Sequence, residues 1–454
     1  MNDYITLGES VILKKGDVLK AVKLLPKKLI VFERMRFVPD NAEGALFGST
    51  FKIDRGGLVL VNQEEVNQEK NAVTQSGQDN RGIVDTHGDS QTLKRECILQ
   101  MKEEGQSGEQ IIGNLVNNSS TFTGKTKFSQ TKYVKKKQKK YSSYIQIHKP
   151  TARLICKLYI NREPAKILNM NLDSISQIVT ATNIRQGSKV VVLETCSGML
   201  LALIMERLGL EGCVVNLHVG ETPSNLFALS HLNLSEDKWK LINSFPLSQL
   251  GPLIAGHPLP SDPLLNAEVE VKDPEMIYSL THEQDVVVVE EKANLMSQDG
   301  NDEPDKDTTS FVNGKRKRHY LTDSEKLAVK IERRKKRHEQ KEFAYNCLQK
   351  GQMDAIIMAC RFHPTPIFMS LMGSLAPSKP FAIYHEYQEP LMELFVQLSV
   401  SNSAINLQLC ETFMRNYQVL SERTHPHVMM STGRGYLLTG TKVNKELPST
   451  NKSD

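Results

Sequence analysis

The sequence predicts an α/β protein in which an N-terminal β-barrel-like module precedes a Rossmann-like domain with a degenerate ligand turn, interrupted by a disordered insertion. Three observations carry this. Lys189-Val-Val-Val-Leu-Glu-Thr-Cys-Ser-Gly-Met199 is an apolar run that stops at an acid, turns through small residues and continues with helical character over 200–208. Before it, short β-prone runs alternate with turns: Ser10-Val-Ile-Leu13, Leu29-Ile-Val-Phe32, Arg36-Phe-Val38 and Thr50-Phe-Lys-Ile53, with Lys14-Lys-Gly-Asp17 and Asp54-Arg-Gly-Gly57 as turns. After it, residues 268–307 hold 13 acids against three lysines, a balance of -10, too polar to bury a core.

The central stretch opens a βαβ unit. Val190 to Leu193 suit a strand buried on both faces, Gly198 marks the turn, and Gly212 precedes the next strand at 213–217. In such sheets the first turn is where nucleotide-like ligands bind. A cofactor turn of the methyltransferase kind reads acid-x-Gly-x-Gly-x-Gly, because glycine lets the backbone approach the ligand. Here the acid is Glu194, but the glycine positions hold Cys196, Gly198 and Leu200, and the acid due at the end of the second strand falls at His218. A side chain forced into a left-handed turn costs about 1–2 kcal/mol, and a lost hydrogen bond to a charged acceptor about 1.5–3 kcal/mol. Together they weaken a cofactor roughly a hundredfold or more. The expectation is a chain that binds no cofactor; a plain buried strand and helix is the structural counterpart.

Along the chain, 1–91 read as the β-barrel-like module, or a sandwich, with a polar excursion at 64–91. Residues 92–150 read as a helical connector with a basic segment, 151–250 as the first part of the Rossmann-like domain, and 251–340 as an acidic then basic disordered linker. Residues 341–443 complete the Rossmann-like domain and 444–454 form a polar tail. Within the second part, strands are expected at 354–359, 380–384, 405–409 and 435–439, with a helix at 390–398.

The 454 residues carry a net charge of +5 and seven cysteines without CxxC spacing, and mean hydropathy is -0.36. This favours a reduced intracellular chain without a metal site. No apolar run is long enough for a membrane span, and the start lacks the pattern of a secretory signal.

Residues 125–140 hold eight lysines and no acid, with Phe128, Tyr133, Tyr141 and Tyr144 interleaved or flanking. Lysine attracts phosphate and aromatics stack on unpaired bases, so the mixture suits RNA; a solvated face or targeting signal gives the same composition. Lys315-Arg-Lys-Arg318 and Arg333-Arg-Lys-Lys-Arg337, the latter on a solvated helix, read as nuclear import signals, or as contacts to RNA or to the acidic block beside them. The strand at 354–359 ends in Cys360 and Arg361, which supply no general base, while Arg361 suits phosphate.

Several motifs in order resemble the non-catalytic subunit of the eukaryotic tRNA (adenine-N1)-methyltransferase that modifies the T-loop adenosine. They are Asp79-Asn-Arg-Gly-Ile-Val-Asp85, Tyr133-Val-Lys-Lys-Lys-Gln-Lys-Lys-Tyr141, Glu194-Thr-Cys-Ser-Gly198, Arg361-Phe-His-Pro-Thr-Pro366, Arg415-Asn-Tyr-Gln-Val-Leu420, His425-Pro426 and Gly433-Arg-Gly-Tyr-Leu-Leu438. Arg434 interrupts an expected glycine run. The resemblance implies a β-barrel joined to a Rossmann-like methyltransferase fold that has lost cofactor binding. It also implies pairing with a catalytic homologue that holds S-adenosylmethionine, as two copies of each, with tRNA bound by both. Lys135, Lys136, Lys137, Lys139 and Lys140 are then expected on phosphate, with Arg361, Arg415 and Arg423 as further contacts, in a nuclear complex. The alternatives are an active S-adenosylmethionine-dependent RNA methyltransferase with an atypical pocket around Glu194 and Gly198, and a scaffold that does not touch RNA.

Overall fold

The computed structural model describes residues 3–33, 35–54, 56–62, 91–103, 106, 108–141, 143–220, 223, 226–260, 323–419, 423–428 and 435–444. The chain divides into two compact units, 1–161 and 162–454.

In the first unit, β1 (Ser10–Lys15), β2 (Val18–Lys23), β5 (Thr50–Asp54), β6 (Gly57–Val61) and β7 (Tyr144–His148) form an antiparallel sheet in the order β2-β1-β7-β5-β6. A separate ribbon pairs β3 (Ile30–Phe32) with β4 (Met35–Phe37). Alternation places Val11, Leu13, Phe51, Ile145 and Ile147 on one face, where they meet Phe32 and Phe37 of the ribbon. The central strand β7 lies beyond the expected end of this module at 91. Pairing with both β1 and β5 makes it integral to the sheet, so the module extends to Asn161. The helical connector is therefore an insertion between β6 and β7, comprising α1 (Arg95–Glu103), α2 (Gly108–Asn117) and α3 (Lys127–Tyr141). Helix α4 (Ala152–Arg162), for which the sequence predicts no element, follows β7.

The second unit is built on a seven-stranded sheet. Its strands are β8 (Lys189–Glu194), β9 (Cys213–His218), β10 (Ile242–Pro246), β11 (Ala355–Ala359), β12 (Pro380–His385), β13 (Ala404–Glu411) and β16 (Tyr436–Lys442). They run in the order β10-β9-β8-β11-β12-β16-β13. The first five are parallel; β16 and β13 pair antiparallel. Two further short strands, β14 (Tyr417–Gln418) and β15 (His425–Pro426), form a ribbon between β13 and β16. The β-branched interior of β8 is buried throughout, as a strand covered on both faces requires. Gly212 turns into β9 at φ 109°, with an added Cβ only 2.5 Å from the Ser188 carbonyl oxygen, so no other residue fits.

Helices cover the sheet. They include α5 (Leu172–Thr182), opened by an Asn171/Ser174 capping box, α6 (Met199–Leu208), α8 (Pro364–Leu371) and α9 (Glu389–Val400). Between α6 and α8, α7 (Asp323–Gln349) contains the helix expected around Arg333 to Arg337 and runs through the end of the stretch otherwise expected to be disordered. Ala344 and Leu348, near its C-terminal end and inside the second part expected at 341–443, are buried in the core. Residues 250–254 are also a short helix. The expectations for 64–90, for the acidic run 268–307, for Lys315 to Arg318 and for 445–454 fall outside the described residues. No described helix is long and apolar enough to cross a membrane.

Candidate functional site

Strand order reverses between β8 and β11, and the crevice beyond the carboxyl ends of these two strands is where an open α/β sheet binds ligands. Glu194 ends β8 opposite Ala359 of β11. Instead of facing the crevice as a free acceptor, the Glu194 carboxylate folds onto the start of α6: Leu200 N–H donates to Oε2 and Leu201 N–H to Oε1, each at 3.0 Å. The acid thus satisfies two of the orphan N–H groups that open a helix. Burial pushes its pKa up to about 7, outweighing the opposing effect of the backbone donors Leu201, Leu200 and Met199.

The remaining turn positions are occupied in the same way. Cys196 is buried and its Sγ–H points to the Ala359 carbonyl at 3.4 Å, with burial of the thiol, then Glu194 and Cys360, raising its pKa far above the usual thiol range. Leu200 is wholly buried in the α6 core face. Gly198 keeps a left-handed φ of 81°, yet what approaches it is the chain itself: an added Cβ would lie 3.0 Å from Leu226 Cα. Ala228 N–H donates to the Ser197 carbonyl at 2.9 Å, so the segment after β9 is pinned over the turn. His218 ends β9 buried, where a ribose-binding acid is due. These residues do not fit S-adenosylmethionine: the acid is engaged, the close-approach glycine is covered, and the second acid is a histidine.

At the end of β11, Cys360 is buried, which raises its thiol pKa to about 11, and Arg361 donates from Nη2 to the Ala165 carbonyl at 3.0 Å. Tyr384 Oη donates to the Leu168 carbonyl at 2.8 Å and accepts from Gly435 N–H at 3.0 Å. Asn169 Nδ2 donates to Glu386 Oε1 at 2.6 Å. Arg361, Tyr384 and Glu386 therefore hold residues 165–169 along the carboxyl edge of β11 and β12. Gly435 is confined there, since an added Cβ would meet Tyr384 Oη at 2.5 Å. Arg361 is exposed but has a structural role that its motif did not disclose.

The basic segment forms α3 of the first unit. Gln130, Val134 and Tyr141, at i, i+4 and i+11, fall on one face and are buried; Val134 packs with Val116 and Phe122, and Tyr141 with Ile111 and Leu115. Lys132, Lys135, Lys136 and Lys140 are exposed. Lys137 is partly buried, its ammonium 5.1 Å from the Tyr133 ring centre, and burial, then Lys140 and Lys136, lower its pKa. Lys139 holds a backbone position on the same helix. Two of the aromatics expected to stack on bases serve the fold instead: Tyr141 is in the core, and Tyr133 makes an edge contact with Phe122 at 5.6 Å. The cause is helical register, which turns residues 133 and 141 toward α2. Phe128 remains exposed.

In the second unit, exposed Arg415 lies 5.9 Å from the Tyr417 ring, and exposed Arg423 accepts a bond from Gln418 Nε2 through its carbonyl at 3.1 Å. Arg415 precedes β14 and Arg423 precedes β15, in the segment that leaves β13 at the same edge of the sheet at which β11 ends before Arg361. Lys132 joins Lys135, Lys136 and Lys140 on the exposed side of α3, and Leu226 and Ala228 cover the turn at Gly198, a role that no local pattern announces.

A family model described as the Gcd10p family matches residues 4–296. The tRNA (adenine(58)-N(1))-methyltransferase non-catalytic subunit TRM6 of Mus musculus is 36% identical over 450 residues, covering 96% of this chain and 88% of that protein. The corresponding non-catalytic subunit of Dictyostelium discoideum is 29% identical over 453 residues, covering 98% and 81%. Among solved structures, tRNA (m1A58) methyltransferase TrmI from Aquifex aeolicus aligns at a TM-score of 0.43 with 14% identity, over 97% of this chain and 99% of that one.

Proposed function

The chain belongs to the Gcd10p family, and on that premise we propose that it is the non-catalytic, tRNA-binding subunit of a tRNA (adenine-N1)-methyltransferase. It holds tRNA while a catalytic partner carries S-adenosylmethionine and methylates the T-loop adenosine. The observation that carries the non-catalytic reading is Glu194, whose carboxylate closes on Leu200 and Leu201 of its own helix. An active enzyme with an atypical pocket would need that acid and Gly198 facing a ligand, and both are engaged by the chain.

The chemistry of this subunit lies in what it positions. A T-loop adenosine is buried by tertiary contacts, so methylation requires the base to be drawn out and the remodelled RNA held. The exposed lysines of α3 supply sequence-tolerant attraction for phosphate, and Arg415 and Arg423 are further contacts. A complex of two copies of each subunit follows the family pattern. Nuclear placement is supported by Lys315 to Arg318 and Arg333 to Arg337 as sequence signals.

Reconstitution tests the assignment. This chain alone is expected to show no methylation of tRNA, and addition of the catalytic homologue to give activity well above that of the homologue alone. Methylation by this chain purified without a partner, abolished by Glu194→Gln, would instead establish an active enzyme.

A further inference from the structure

We propose that Cys213 and Cys347 form a reversible thiol-oxidation site, in which a hydroperoxide oxidises Cys347 and Cys213 then closes a disulfide that joins α7 to β9. Cys213 opens β9, and Cys347 stands in the last turn of α7. Both line one crevice together with Lys189, Glu211, Phe343 and Lys350. The crevice lies at the amino ends of β8 and β9, the edge of the sheet opposite the closed cofactor turn, and takes no part in the tRNA-subunit reading.

The fold brings the two sulfurs together through short, pinned segments. Strand alternation turns Cys213, Val215 and Leu217 to one face of the sheet, where Ala344 and Leu348 of α7 pack and Cys347 lies half-buried beside them. Cys213 pairs with Lys189 of β8, and its N–H donates to the Ser188 carbonyl at 3.1 Å. The Lys189 carbonyl in turn accepts from Asp354 N–H at 2.7 Å, and only residues 348–353 separate Asp354 from Cys347. Within that link Leu348 and Met353 are buried, and Gly351 turns the chain at φ 63°, with an added Cβ 2.9 Å from the Gly373 carbonyl oxygen. The last turn of α7 is thereby held over the start of β9.

Two enclosed cysteines would be small apolar fillers. Here only Cys213 is enclosed. Burial, then the charge and hydrogen bond of the neighbouring Cys347 thiol, push its pKa up to about 12, although Asn243 Nδ2 donates to its sulfur at 3.7 Å. Cys213 therefore keeps its proton. Cys347 is partly open to solvent, and Lys189, Phe343 and Lys350 around it are exposed, so a small hydroperoxide can reach its sulfur. In the first step the Cys347 thiolate attacks the distal oxygen, the O–O bond breaks, and the departing alkoxide takes up the proton that Cys347 released. Cys347 is then a sulfenic acid. In the second step the Cys213 sulfur attacks the Cys347 sulfur, the S–O bond breaks, and hydroxide leaves as water with the Cys213 proton. The sulfurs lose two electrons and the hydroperoxide gains them. A dithiol reductant returns both thiols by exchange.

The test treats the full-length chain, in its reconstituted complex with the catalytic homologue, with a small excess of hydrogen peroxide; free thiols are then blocked and the digest is mapped by mass spectrometry without reductant. The expected result is a peptide pair joined through Cys213 and Cys347, loss of two of the seven alkylatable thiols, and their recovery after dithiothreitol. Cys213→Ala should leave Cys347 as a sulfenic acid that dimedone captures, whereas Cys347→Ser should leave Cys213 unmodified. Oxidation of the exposed Cys97 or Cys410 while Cys213 and Cys347 stay free would overturn the site. Dimedone on Cys213 in Cys347→Ser would overturn the order of the two steps. The wild-type map needs no variant, so a misfolded substitution does not rescue the site from a negative result. No readout involves RNA, and failure here leaves the tRNA reading untouched.

Discussion

Replacing Lys132, Lys135, Lys136 and Lys140 with glutamine should reduce the salt dependence of tRNA binding by roughly three units of slope, at about 0.7–0.9 per phosphate neutralised. Across a fourfold change in salt, a three-unit slope amounts to roughly 60-fold in affinity. The set differs from the lysine run read in the sequence because α3 buries one face. Lys132, Lys135, Lys136 and Lys140 are exposed, while Lys137 is partly buried beside Tyr133. Lys137→Gln should consequently leave the slope close to wild type and lower thermal stability slightly. Assembly with the catalytic partner, followed by size-exclusion chromatography, should survive the fourfold change, because fully charged surfaces are depleted in interface cores. An unchanged slope with intact assembly would reject α3 as an RNA surface.

Glu194→Gln should remove a pH dependence of stability that the wild-type chain carries between about pH 4.5 and 7. The sign follows from the folded pKa of about 7, raised from the ordinary carboxylate value by burial. Within that window the unfolded chain has released the proton and the folded chain still holds it, so wild-type stability falls as pH rises and levels off above about 7. At about 1.36 kcal/mol per pKa unit, the full loss is on the order of 3 kcal/mol. For a unit of this size that corresponds to roughly 5–10 °C in melting temperature. Glutamine retains one acceptor for the α6 N–H groups and never ionises, so the difference between melts at pH 5 and pH 8 should shrink. Parallel pH profiles would show that Glu194 does not titrate where its burial places it.

The sheet was legible because its central strands are short apolar runs with their own turns: 190–193, 213–217 and 354–359 needed no partner to be recognised. Strand β7 was not assigned, although Tyr144-Ile-Gln-Ile-His148 alternates plainly. Its partners β1 and β5 lie across a long helical insertion, and such pairing leaves no local trace. Helix α7 was partly concealed by its composition, since Ala344 and Leu348 are few against the charges before them. At the ligand crevice, residue types revealed that the cofactor turn was degenerate. They did not reveal that Glu194 had become a helix cap or that Leu226 covers Gly198, because a motif gives chemistry without direction. The same limit applied to Arg361, a phosphate candidate by type and a clamp on Ala165 by geometry.

The cofactor crevice of this chain is closed by its own residues, and methylation belongs to the partner. Calorimetric titration of S-adenosylmethionine into the reconstituted complex, and into this chain alone, tests it most directly. The predicted result is one cofactor bound for each pair of unlike subunits, with no binding isotherm from the isolated chain. Two cofactors per pair, or a micromolar one-to-one isotherm from the isolated chain that Glu194→Gln abolishes, would contradict it.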